Sequence, residues 1–381
     1  NDSNYNMTTN KLTLTNSNTG KTWSAITRKD AVTLTGKVNA NNATLSSTSN
    51  VSCTIAASYN GSNQAKSCYA KMPTVTAPSV TPTFVGWNQS ANGTTNDSSY
   101  STSTGNLTLT SSNTGKTWYA ITKKIAVTLK ATANRNWSTL SGNTTPTCTL
   151  PEVYNGGMQA SSCEVTMPTV TAPSATPIFV GWNLSESGTT NDSNYNMTTN
   201  KLTLTNSNSG KNWYAITRKD AVTLTVKVDA NSGTLSSTSD VGCTIAETYN
   251  AMGQATSCYA KMPTGTKTGY SHIGWNTDST ATTSDSNYGT SSGNLKITKD
   301  NTGTIWYAIY KAKSYKVTFN PNGGKVSPTY KLVTFDSNYG KDSTLPTPTR
   351  ADSTDSASGK TISYVFEGWY TAANGGTKVT D

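Results

Sequence analysis

The chain has 381 residues, of which 33% are hydrophobic and 13% charged, and its net charge of +10 is carried by single Lys and Arg residues scattered among Asn, Thr, Ser and Gly. That length fits two to four domains. A nucleic-acid binder would cluster its cations and interleave stacking aromatics. The charge therefore reads as solvated faces, with weak attraction to anionic glycans as the lesser reading, and no nucleic-acid partner is expected. No stretch approaches the roughly 18 consecutive apolar residues of a membrane helix, so no membrane insertion is expected within this segment.

The chain opens on "NDSNYNMTTNKLTLTNSNTGKTW", and close variants of these words return at Asn96, Asn191 and Ser284. The period is about 95 residues, a domain size rather than a solenoid repeat. Domains this small bury only about 60–65% of their unfolded surface and gain from staples. Six cysteines recur at one repeat phase as Cys53/Cys68, Cys148/Cys163 and Cys243/Cys258. Six cysteines allow about fifteen pairings, and the repetition favours the local one in each copy. Zinc would need four clustered ligands, and the one histidine, His272, stands apart. Disulfides point to an oxidising, extracellular setting.

Taken in chain order from Ala221, "AVTLTVKVDA" alternates, with Val222, Leu224, Val226 and Val228 on one face, and predicts a half-buried strand. "NSGTLSS" is a turn. The two cysteine arms, "CTIAETY" and "SCYAKMP", are expected to form a hairpin. "HIGWN" is an aromatic-anchored bend whose glycine permits close packing. "NLKIT" and "IWYAIYK" close the copy as two strands, with "DNTG" expected as the hairpin turn between them. No 3.6-residue period is sustained, so each repeat is mostly β. Trp87, Trp182, Trp275 and Trp369 recur beside the bend glycine and read as core anchors, although exposed tryptophans of this kind would suit a glycan site.

"YKVTFNPNGGKV", "LPTPTR" and "YVFEGWYTAANGGTKVTD" in the last copy resemble the Listeria–Bacteroides repeat, the B-repeat of internalin-type surface proteins. The first three copies look like divergent relatives carrying an inserted cysteine segment. The resemblance implies tandem small β-grasp-like domains in a linear array, three of them with an intradomain disulfide hairpin. It also implies a role as a spacer or binding module on bacterial surface proteins, and no catalysis. On its frame the domains are 31–124, 125–219 and 220–312. Residues 313–381 hold the first two-thirds of a fourth, and residues 1–30 hold the closing strands of another.

The chemistry inventory agrees with a non-enzymatic role. Most acids sit in Asn/Asp/Ser turns, and no Ser or Cys nucleophile has a histidine at a matching repeat position. Asp278 and Asp285 could touch calcium, but the other copies lack that pair. Lys21 and Lys116 recur in "TGK" and Lys211 in "SGK", where an isopeptide bond is conceivable, yet no partner acid stands out and the fourth copy has Thr304 there. Sequons at Asn42, Asn60, Asn106 and Asn143 leave glycosylation open. No metal or cofactor is expected. Two functions remain: a stalk or filament on a microbial cell surface, or an adhesin whose repeats bind glycans or proteins of a host or neighbouring cell. The last copy stops at Asp381, which matches Asp192, and the chain begins where Asn191 stands. Two expectations follow, and both stay open. Residues 1–30, with Leu12, Leu14, Trp23 and Ile26 inward, complete the 313–381 domain of another copy across the face of Val317 and Phe319. Alternatively, the same contact belongs to one longer continuous chain.

Overall fold

The structure, a computed structural model, describes residues 2–338 and 345–379. The chain divides into two compact units: Asn1–Arg135 with Leu140–Val170 and Gly181–Ala215, and Asn136–Thr139 with Thr171–Val180 and Ile216–Asp381. Among the described residues every regular element is a strand.

In the first unit, the repeat at 31–124 opens with Val32–Asn39, whose alternation buries Leu34 and Gly36 and exposes Thr33, Thr35 and Lys37. Its main sheet runs Thr83–Asn88, Thr117–Lys124, Val32–Asn39, Val51–Ile55. The closing strand, Thr117–Lys124, is central. It lies antiparallel to Thr83–Asn88 and parallel to the opening strand, with Trp118 beside Val38. A second sheet joins Tyr100–Ser101, Asn106–Thr110 and Ser67–Lys71. The buried cluster draws on both sheets: Leu34, Ile55, Ala70, Leu107, Leu109 and the indoles of Trp87 and Trp118. Full burial of one leucine stabilises by about 1.5–3 kcal/mol, so Leu107 and Leu109, both at 0% exposure, are major terms. The bend at Gly86 is a β-bulge with φ +152°. A Cβ there would fall 2.0 Å from Asn96 Oδ1, the atom that accepts the Trp87 N–H at 3.1 Å, so only glycine fits.

The disulfides join Cys53 to Cys68, Cys148 to Cys163 and Cys243 to Cys258. The expected cysteine hairpin does not form, however. Val51–Ile55 pairs with the opening strand, setting Cys53 opposite Leu34, while Ser67–Lys71 pairs with Asn106–Thr110, setting Cys68 opposite Leu109. Each disulfide therefore ties one sheet to the other where no backbone ladder does. In the same unit, Val127–Lys130 pairs with Thr147–Leu150, Ser162–Thr166 pairs with Lys201–Thr205, and Thr132–Asn134 runs parallel to the chain at Asn212–Tyr214.

The second unit contains the repeat at 220–312, with a sheet ordered Val241–Ile245, Val222–Asp229, Ile305–Ala312, Tyr270–Asn276 and a smaller one of Ser257–Lys261, Asn294–Thr298 and Tyr288–Gly289. The expected "DNTG" hairpin is corrected here. Asn294–Thr298 and Ile305–Ala312 belong to different sheets, and the turn carries the chain across the core. Asn301 shapes that crossing by accepting the Thr298 N–H and donating to the Lys296 carbonyl. The parallel pairing of first and last strands is compatible with a β-grasp plan. No helix is present among the described residues, so a sheet wrapped on a helix is not what these repeats show.

The fourth repeat keeps the opening strand, Ser314–Thr318, paired with Tyr330–Thr334. Phe319 is not exposed as expected. It is buried at 6% exposure, its ring 5.0 Å from that of Trp369, and Val317 is half-buried.

Candidate functional site: the inter-repeat junction

A densely hydrogen-bonded polar feature lies where one repeat meets the next. In the first unit, Val153–Tyr154 adds to the end of the preceding closing strand, Lys123 opposite Tyr154 and Lys124 opposite Val153. Asn155 then turns left-handed at φ +53°, a conformation that a short amide side chain tolerates. Its N–H donates to the Thr122 carbonyl at 2.8 Å, and its Oδ1 accepts the Thr122 N–H at 3.2 Å. Its Nδ2 donates to the carbonyls of Ala91 and Gly93, both at 3.0 Å. Its own carbonyl accepts from Asn42 Nδ2 at 2.8 Å. The next amide, Gly156 N–H, donates to Thr81 Oγ1, which is itself 2.8 Å from Thr122 Oγ1. Thr81 and Thr122 are both wholly buried. Asn155 thus commits all three of its N–H donors and one acceptance at each of its two oxygens to the repeat before it.

The same device recurs in the second unit. Asn250, at φ +52°, donates its N–H to the Thr217 carbonyl at 2.9 Å and accepts the Thr217 N–H at 3.2 Å. Ala251 N–H donates to Thr176 Oγ1 at 3.0 Å, and Thr176 meets Thr217 at 2.8 Å in a fully buried pair. Ahead of the first repeat, Arg28–Lys29 pairs with Ser58–Tyr59, and Asn60 makes the same backbone exchange with Thr27. A glutamine locks each loop to its connector. Gln64 donates to the Asp30 and Ala56 carbonyls, Gln159 to Ile125 and Pro151, and Gln254 to Asp220 and Ala246. The connectors also carry the ion pairs Arg28–Asp30 at 2.5 Å and Arg218–Asp220 at 2.7 Å, in which the carboxylate raises the guanidinium pKa. Being exposed, these pairs contribute little.

The junction into the fourth repeat is built differently. Asp336 takes the left-handed position at φ +60°, and Phe335 packs edge-on to Tyr270 with ring centroids 5.6 Å apart. Phe335 N–H donates to the Lys313 carbonyl, and Lys313 N–H to that of Gly269. Tyr310 replaces the buried threonine of the other closing strands.

The words "YN" and "Q" between the cysteines were visible in the sequence, but they read there as the turn of a hairpin. Of the residues singled out from sequence, Trp87, Trp182 and Trp275 are wholly buried anchors and Trp369 is half-buried. Asp278 and Asp285 cap local turns by accepting from Thr280 and Asn287. Leu12, Leu14, Trp23 and Ile26 are exposed by 37%, 68%, 38% and 69%, whereas their equivalents Leu107, Leu109, Trp118 and Ile121 are at 0%. The Val379 N–H donates to the Trp369 carbonyl as that of Asp192 does to Trp182, and Asp381 lies outside the described residues. Among the described residues no helix is long and apolar enough to cross a membrane.

Residues 224–302 and 315–381 match the Listeria-Bacteroides repeat domain. No curated protein and no solved structure matches the chain. The unit at 31–124 repeats the strand register of the one at 220–312, with Val32 opposite Ile55 where Val222 faces Ile245. Residues 224–302 and 315–381 are thus Listeria-Bacteroides repeats in tandem, a family typical of bacterial surface proteins.

Proposed function

We propose that the chain is a structural, non-catalytic repeat protein of a microbial cell surface, where it works as a stalk whose length comes from repetition and whose joints resist bending. The observation that carries this reading is the asparagine clamp at Asn60, Asn155 and Asn250. A flexible tether would join its domains through a solvated Gly/Ser linker. Here each connector is instead tied down by an added strand pair, an asparagine in the left-handed region and a glutamine that reads two carbonyls. With each hydrogen bond worth about 0.5–1.5 kcal/mol net, the Asn155 set outweighs thermal bending. An oxidising exterior is where three disulfides persist, and a polar, hydroxyl-rich surface suits exposure outside a cell.

The test uses the full chain with spin labels at the exposed positions Ser49 and Ser187, on either side of the Asn155 clamp within one compact unit. A narrow distance distribution that broadens in Asn155→Ala is expected. An equally broad distribution in both proteins would refute the stiff-joint reading. Protease treatment of intact cells checks location: a surface stalk is shaved away, and an internal protein survives.

A further inference from the structure

The joint into the fourth repeat differs from the first joint in three respects that fall at one place. Ser232 occupies the position of Asn42, whose amide reaches across to the Asn155 carbonyl at 2.8 Å. Gly269 occupies that of Thr81, whose hydroxyl accepts the Gly156 N–H. The connector from Met262 to Trp275 is also two residues shorter than that from Met72 to Trp87. Each change removes bulk or chain from the joint. Phe335 lies over Gly269, where a Cβ would fall 2.2 Å from its ring. What stays open is a groove of about 680 Å³, within the roughly 300–1,000 Å³ of small-molecule sites. Its walls are the turn at 232–234, the connector at 266–270 and the corner at 335–336.

Uncommitted polar groups converge on this groove. Among the described residues, the hydroxyls of Ser232, Thr234 and Thr268 have no hydrogen-bond partner, and neither Lys267 nor Asp336 has an ionic one. The Lys267 ammonium is held over the Tyr270 and Tyr310 rings, 4.8 and 5.7 Å from their centroids. Hydroxyls donate or accept, a carboxylate only accepts and an ammonium only donates. That mixture suits a ligand whose own groups do both, as the hydroxyls of a sugar do. Tyr270 and Phe335, edge to face at 5.6 Å, add an aromatic wall for the C–H face of a sugar ring. One cation and one anion leave the groove without net charge, which favours a neutral ligand. A lipid would need an apolar lining, and a nucleotide clustered cations. Ser232 holds a left-handed φ of +62°, a conformation that asparagine tolerates better, so the turn itself gains nothing from serine.

We propose that this groove binds a short neutral glycan. Ser232, Thr234, Thr268 and Asp336 hydrogen-bond its hydroxyls, Lys267 donates to another of its oxygens, and Tyr270 and Phe335 pack on a sugar face. The stalk reading does not require this site; it adds a point of attachment at one joint.

The test titrates the full chain with cellotriose, maltotriose, mannotriose and chitotriose, followed by saturation-transfer NMR and hydrogen exchange. Binding of at least one is expected, with slowed exchange at residues 232–234 and 266–270. Ser232→Asn places an amide where Asn42 has one, on a backbone that suits it, and bridges the groove without disturbing the fold. It should weaken binding by about tenfold or more, and so should Lys267→Ala. No binding by any of the four, unchanged binding in both variants, protection confined to other residues, or binding only of a heparin tetrasaccharide would each overturn the proposal. A stiff chain that takes no sugar would leave the stalk reading standing, and a loose chain that takes one would leave this site standing.

Discussion

The repeats at 220–312 and 313–379 open on comparable strands, Val222–Asp229 and Ser314–Thr318, and differ in what packs behind them. In the first, Trp275 and Trp306 are wholly buried between two sheets, the closing strand occupies the centre, and Cys243–Cys258 ties the sheets together. In the second, the GW bend and the Asn320 turn keep their geometry, yet Trp369 is half-buried and Val365, Leu332 and Tyr330 face solvent. Local turn chemistry therefore suffices to shape the walls of a repeat. Closing its core needs the central strand, and the disulfide reinforces that closure.

Substitutions can break this contrast in graded steps. The largest effect is expected at the indoles. Trp275→Ala removes a wholly enclosed side chain and should cost about 3–5 kcal/mol. Trp369→Ala, on an open wall, should cost clearly less, and hydrogen exchange resolved by repeat separates the two. Next comes the disulfide: Cys243→Ser with Cys258→Ser reopens a loop of about 15 residues and should cost roughly 3 kcal/mol. Reduction of the whole chain should lower the unfolding temperature of the three disulfide repeats and leave 313–379 unchanged. Asn155→Ala leaves the buried neighbours of its amide without partners and should cost about 1–3 kcal/mol, seen as faster exchange at residues 153–156.

The smallest effect is a pH dependence peculiar to one repeat. His272 stands where Phe84 and Phe179 stand in the first two, packed against Trp275 and Tyr310. Burial lowers its pKa below the ordinary 6.5, and a backbone hydrogen bond at Gly274 opposes this in part. The unfolded chain then binds the proton more readily than the folded one. The resulting stability is present above pH 6.5 and is lost as the pH falls below that value toward the lowered folded pKa. His272→Phe should abolish this acid sensitivity, measured as the unfolding midpoint of 220–312 between pH 7 and pH 5.

Much of this was legible in the residues. Two-residue alternation in "VTLTVKV" specifies which side chains of that strand are buried, and a tryptophan repeated beside a glycine marks a core bend. Strand partners were not legible. A fifteen-residue cysteine spacing suits a hairpin as well as two strands in facing sheets, because a disulfide reports distance and not hydrogen bonding. "DNTG" is good hairpin chemistry, but the burial of Leu295 and Ile297 on one sheet and Trp306 on the other turns the loop into a crossing. Asn155 was hidden for a similar reason: an Asn-Gly pair reads as a local turn, and its partners Ala91, Gly93 and Thr122 lie far away in sequence.

The central claim is that the closing strand Thr117–Lys124 serves two repeats at once, filling the core of its own and anchoring the next. Hydrogen exchange on the intact chain tests it most directly. Residues 117–124 and 153–155 should exchange slowly and together, with Asn155→Ala releasing 153–155 and weakening the amides of Thr122–Lys124 as well. Rapid exchange at 153–155 in the unaltered chain, beside a fully protected 117–124, would contradict it.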